Sequence, residues 1–132
     1  MRSLQLAATP VTPEVSFRPE EGFLALTGEC YPENPAPFFG PILGALEGHF
    51  RRTSQRDFEA RFRLRYVNSA STKALRRLFG LLNAMAEHGV SVTIAWEYDP
   101  DDDAAAELGE DLAAGLGRLH FHPVPELARL AS

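Results

Sequence analysis

One stretch of this chain, Tyr66-Val67-Asn68-Ser69-Ala70-Ser71-Thr72-Lys73, gathers side chains that can take up or hold a charged group. Its hydroxyls fall where an alternating apolar strand stops and a leucine-rich helix begins. The first N–H groups of a helix lack partners inside the helix, and the macrodipole is positive there, so an anion is favoured at that point. A phosphate on Ser69 would add about −1.5 to −2 charge beside Lys73 and near Arg76 and Arg77. The turn therefore suits two chemistries. One is a modifiable switch, and the other is an anion or nucleotide site in an enzyme or small-ligand carrier. Serine is also a favoured helix cap, worth about 1 kcal/mol, so Ser69 or Ser71 can cap while the other is modified.

A second strand-to-helix junction lies at Tyr31-Pro32-Glu33-Asn34. Its Pro-Glu-Asn turn can cap the following helix. If it lies beside the Ser69 turn, at the carboxyl ends of parallel strands, it also forms part of a partner surface. Gly40, Gly44 and Gly48 recur every four residues, a stripe that permits close approach to the sheet or to another helix. Other clusters carry less. The acidic run Asp99 to Asp103 lacks the spacing and terminal glutamate of a calcium loop and reads as a solvated helix start. His120 and His122 share one strand face, but two ligands do not make a zinc site. No Gly-x-Ser-x-Gly elbow and no phosphate-cradling glycine loop with its lysine is present, so no cofactor is expected.

The elements that must position these residues follow from periodicity. Phe58, Ala60, Phe62, Leu64 and Tyr66 alternate with charged residues, which predicts a half-buried strand. Leu75, Leu78, Leu82 and Met85 repeat at helical spacing until His88-Gly89. Val90 to Tyr98 predicts a further strand, Ala104 to Leu116 a helix, and Leu119 to His122 a last strand. Upstream, residues 15–17 and 23–28 flank a Pro-Glu-Glu-Gly turn and predict a hairpin. Phe38, Phe39, Ile42, Leu43, Leu46 and Phe50 predict a helix whose regular part is limited by Pro41. The expected product is a single small α/β domain with a mixed, mostly parallel sheet of about five strands, an N-terminal hairpin and about three helices. Residues 1–13 read as an extended leader, 14–123 as the domain, and 124–132 as a tail with one or two helical turns from Glu126 to Leu130.

Composition sets the outer limits. The 132 residues suit one domain. Thirteen basic against eighteen acidic residues give a net charge of −5, which argues against a general nucleic-acid or anionic-membrane binder. The local run Arg51, Arg52, Arg56, Arg61, Arg63 and Arg65 reads as a solvated strand face and a helix end. Cys30 is the single cysteine, so no internal disulfide is available. No signal-like or membrane-spanning run is visible, and a cytoplasmic location is expected.

Four segments occur together in order: Gly28-Glu29-Cys30-Tyr31-Pro32-Glu33-Asn34, Phe39-Gly40, Leu64 to Leu75, and Trp96-Glu97-Tyr98-Asp99-Pro100 with Glu107-Leu108-Gly109-Glu110. In these the chain resembles the SiaC family of bacterial regulatory phosphoproteins, over roughly residues 25–122. The resemblance implies a fold similar to STAS-type anti-sigma-factor antagonists and a non-enzymatic role. It also implies modification of one hydroxyl by a protein kinase, its removal by a PP2C-like phosphatase, and binding of the unmodified form to a diguanylate cyclase or another output protein. The family's modified residue falls on Ser69. Tyr31, Glu33, Asn34, Asn68, Ser71 and Lys73 are the expected partner-binding residues. Ala70 and Thr72 depart from the family pattern.

Overall fold

A computed structural model describes residues 3–52 and 56–126. Six strands form one sheet in sequential order: β1 Leu4–Leu6, β2 Glu14–Arg18, β3 Phe23–Glu29, β4 Asp57–Arg65, β5 Ser91–Tyr98 and β6 His120–Pro125. The first three pair antiparallel, and β3 to β6 pair parallel. Helices α1 Ala36–Arg52, α2 Ser69–Glu87 and α3 Asp103–Ala113 make the three crossovers. Right-handed crossovers that all step in one direction leave every helix on the same face. The result is two layers.

The α/β class, the hairpin, the parallel section and the three helices match the expectation, with one strand more. The extra strand arises where Leu4-Gln5-Leu6 pairs with Val15-Ser16-Phe17. Its single alternation is too short to stand out from the stretch read as an extended leader. At the other end β6 runs through Val124 and Pro125. The turns expected from Glu126 to Leu130 lie outside the described residues, apart from Glu126 itself.

Period-two patterning decides which face each strand residue takes. Phe58, Ala60, Phe62 and Leu64 are buried beneath the helices with Leu24, Leu26, Val92, Ile94 and Trp96. The α2 stripe of Leu75, Leu78, Phe79, Leu82 and Met85 closes over them. Phe62, Phe79 and Trp96 form the aromatic centre, with ring centroids 5.2 to 6.1 Å apart. The opposite face of β4 carries Glu59, Arg61, Arg63 and Arg65, so the arginine run is a strand face and helix end as expected. Arg63 reaches both carboxylate oxygens of Glu126 with Nε and Nη2 along one guanidinium edge, tying the end of β6 across that face.

Two elements of α1 differ from the sequence reading. The helix runs regularly through Pro41. The bond that proline removes would have ended on the carbonyl of Pro37 in the first turn, where both residues are exposed and water can substitute. The glycine stripe does not mediate packing. A Cβ at Gly40, Gly44 or Gly48 would meet no atom beyond its own helix within 4 Å. Close approach is found instead at Gly109 of α3, where a Cβ would stand 2.5 Å from Trp96 Cδ1.

Candidate functional site

Parallel register brings the two junctions of interest together. Gly28 and Glu29 pair with Leu64 and Arg65, so β3 and β4 end side by side. The chains leaving them are then locked by three hydrogen bonds. Cys30 N–H donates to the Arg65 carbonyl at 2.9 Å, Asn68 N–H to the Cys30 carbonyl at 3.2 Å, and Asn68 Nδ2 to the Pro32 carbonyl at 2.9 Å.

Asn68 is the cap of α2. Its side-chain oxygen accepts the Ser71 N–H at 3.0 Å, and its carbonyl accepts both the Thr72 N–H at 2.9 Å and the Thr72 hydroxyl at 3.1 Å. The cap expected from Ser69 or Ser71 is therefore supplied upstream of both. Ser69 becomes the first helical residue and is exposed. Its hydroxyl is needed neither for capping nor for packing. The first turn of α2 contains no acidic residue, so the positive end of this helix is left without a counter-charge.

Ser71 is a correction to the expected partner surface. Its side chain is fully buried, because it stands four residues before Leu75 and begins the same inward stripe. The Ser71 hydroxyl, which has no full-strength hydrogen-bond partner, lies against the Cys30 thiol. Burial raises that thiol from about 9 to about 11, and the hydroxyl offsets part of the rise. Cys30 is thus a neutral, unreactive core residue at pH 7. Asn68 is half-buried with both ends of its amide hydrogen-bonded, so it positions the turn. Glu33, Asn34 and Lys73 are exposed. Asn34 Oδ1 approaches the Ala36 N–H at 3.4 Å, a weak version of the expected cap.

Sequence reasoning missed Tyr66. It is 73% exposed and has a φ of 53°, the left-handed region that a tyrosine enters only at a cost of roughly 1 kcal/mol. That conformation turns the ring outward to meet Tyr31, also exposed, edge to face at 6.5 Å. Two exposed rings next to Ser69 are the kind of aromatic anchor that protein interfaces use. No pattern in the sequence announces a left-handed backbone at a non-glycine residue.

On the other side of Tyr66 the acidic run behaves as a helix start. Asp99 Oδ1 accepts the Asp101 N–H at 2.9 Å, and Asp102 caps α3 through the Ala105 N–H at 3.0 Å. Among the described residues no group of three or more acidic, histidine or cysteine side chains is arranged to hold a metal ion. No helix among them is long and apolar enough to cross a membrane.

These features define a two-layer α/β domain with an unengaged hydroxyl and two exposed aromatic rings at the carboxyl end of its parallel strands. The chain belongs to the SiaC family of regulatory phosphoproteins, whose family model matches residues 6–126. It is 33% identical over 111 residues to an uncharacterized protein of Pseudomonas aeruginosa (strain UCBPP-PA14), covering 84% of this chain and 87% of that one. Among solved structures it is similar to the activator SiaC of Pseudomonas aeruginosa in complex with the diguanylate cyclase SiaD, with a TM-score of 0.87 and 29% identity over 93% of this chain and 99% of that one. The structure of apo-SiaC from the same organism gives 0.86 and 30% identity, with 94% and 99% covered.

Proposed function

We propose that this protein is a non-enzymatic switch whose state is written on Ser69. A protein kinase adds the phosphate and a PP2C-like phosphatase removes it. The unmodified form docks on an output protein, a diguanylate cyclase by analogy with the SiaC–SiaD complex. The observation that carries this reading is the setting of Ser69: exposed at the first position of α2, relieved of capping duty by Asn68, and facing a helix end with no acid in its first turn.

A phosphate placed there gains from the helix dipole and the free N–H groups of the first turn, so its addition need not disturb the fold. Its effect is on whoever docks. A dianion beside Tyr31, Tyr66 and Lys73 must be desolvated or paired when a partner covers it, and a partner built for a neutral hydroxyl supplies no cation. Tyr31 and Tyr66 serve as anchors, and Glu33, Asn34 and Lys73 as the polar rim.

Intact mass after expression with the neighbouring genes tests the reading. The expected result is one added phosphate that maps to Ser69, disappears in Ser69→Ala, and is absent without the kinase. Phosphate on another residue, or its persistence in Ser69→Ala, contradicts it.

A further inference from the structure

The Ser69 end opens onto a feature that neither junction explains. Between α1 and α2 runs a groove with a volume of about 410 Å³. Its apolar surface comes from Phe39 and Leu43 on one side and Ala70 and Ala74 on the other. Gly40 and Gly44 leave gaps in the α1 wall, where a Cβ would meet nothing beyond its own helix within 4 Å. Glycine inside a helix costs about 0.5–1 kcal/mol each relative to alanine, and no contact within the domain recovers that cost.

The α2 wall is charged in one sense. Ser69, Lys73 and Arg77 stand at successive steps of four, on one edge of the helix. Lys73 and Arg77 line the groove, both are exposed, and neither has an ion-pair partner among the described residues. The acid across the groove, Glu47, is engaged by Arg51 at 3.2 Å. In a chain with a net charge of −5, two unpaired cations over an apolar trough call for carboxylates from outside.

We propose that the output partner whose docking Ser69 governs lays an acidic amphipathic helix into the α1–α2 groove, its backbone close to Gly40 and Gly44 and its carboxylates facing Lys73 and Arg77. The inference rests on the functional reading above and specifies the partner's chemistry. A helix fits because both walls are themselves helical: the lining from Gly40 to Glu47 and from Ala70 to Arg77 spans about 10 Å on each side, roughly two turns. Small residues at steps of four let helix backbones approach closely. The geometry also gives the modification a second effect. A phosphate on Ser69 stands four residues before Lys73, the favourable order for an ion pair within a helix, so it draws Lys73 away from the groove while repelling the incoming carboxylates.

Binding of the full-length protein to each purified diguanylate cyclase of its own organism, followed by calorimetry at two salt concentrations, tests this. The variants are Gly44→Leu, which fills the groove, the Lys73→Glu/Arg77→Glu pair, Arg76→Glu as an exposed charge reversal off the groove edge, and Ser69→Asp as a mimic of the modified state. Thermal unfolding verifies that each is folded. One cyclase is expected to bind the wild type. Gly44→Leu and the paired reversal should each weaken it by about tenfold or more, Arg76→Glu by less than about threefold, and the paired reversal alone should flatten the salt dependence. If the groove variants bind like wild type while Ser69→Asp does not, the groove proposal is overturned and the switch stands. If wild type binds none of the cyclases, the groove proposal is overturned, and the switch is decided separately by whether the phosphate maps to Ser69.

Discussion

The junctions that open α2 and α3 use the same device for opposite ends. In each, a side chain at the cap accepts the N–H three residues ahead at 3.0 Å, Asn68 for Ser71 and Asp102 for Ala105. At α3 the cap is itself anionic and Asp103 follows it in the first turn, so the dipole is answered by the chain's own charge. At α2 the cap is a neutral amide, the first turn has no acid, and the first helical residue offers a free hydroxyl. One junction is electrostatically finished. The other has its Ser71 and Thr72 N–H groups taken by Asn68 but lacks a charge that a phosphate would provide.

The largest expected effect probes why α3 is fixed where it is. Gly109→Ala drives a methyl into Trp96, whose Nε1 also donates to the Ala105 carbonyl at 2.8 Å. It should cost about 2–3 kcal/mol in chemical denaturation. Gly44→Ala, at an open position, should stabilise by about 0.5–1 kcal/mol. A similar response at both sites would mean that α3 is not packed as described.

Next in size is the difference between the two caps. Asn68→Ala loses the cap and the bridge to Pro32, and should destabilise by about 2 kcal/mol, whereas Asp102→Ala loses a cap alone and should cost about 1 kcal/mol. Equal losses would show that the Asn68 bridge to the Tyr31 loop contributes nothing.

The smallest effect addresses charge. Ser69→Asp should raise stability by about 0.3–1 kcal/mol at low salt, and Asp103→Ser should lower it by a similar amount, both fading as salt is added. If Ser69→Asp destabilises, the view of α2 as a helix start awaiting an anion is wrong.

Much of this was legible in the sequence, for physical reasons that differ by residue. The alternation from Phe58 to Leu64 and the leucine stripe from Leu75 specify β4 and α2 because each buries one face, and their meeting point places Ser69 at the helix mouth; Tyr66, which the same alternation puts on the buried face, is exposed beyond the strand. Ser71 reads as a partner-surface residue and is buried, although its spacing to Leu75, Leu78 and Leu82 marks it as inward. A small polar side chain on an apolar stripe does not interrupt the pattern strongly enough to be noticed. The sequence points to Ser69 or Ser71 as the cap and the structure uses Asn68, since asparagine and serine are nearly equal in cap preference and only the folded turn decides which side chain folds back. Gly40, Gly44 and Gly48 signal close approach but not to what, and inside the domain there is no such neighbour. Tyr66 needed the backbone angle, which sequence does not carry.

The central claim is that a charge on Ser69 decides docking. The most direct measurement is the affinity of one cyclase for two preparations of the same protein, stoichiometrically phosphorylated on Ser69 and unphosphorylated. The account predicts that the unmodified form binds at least about tenfold more tightly, a difference of about 1.4 kcal/mol. Equal affinities, or tighter binding of the phosphorylated form, would contradict it.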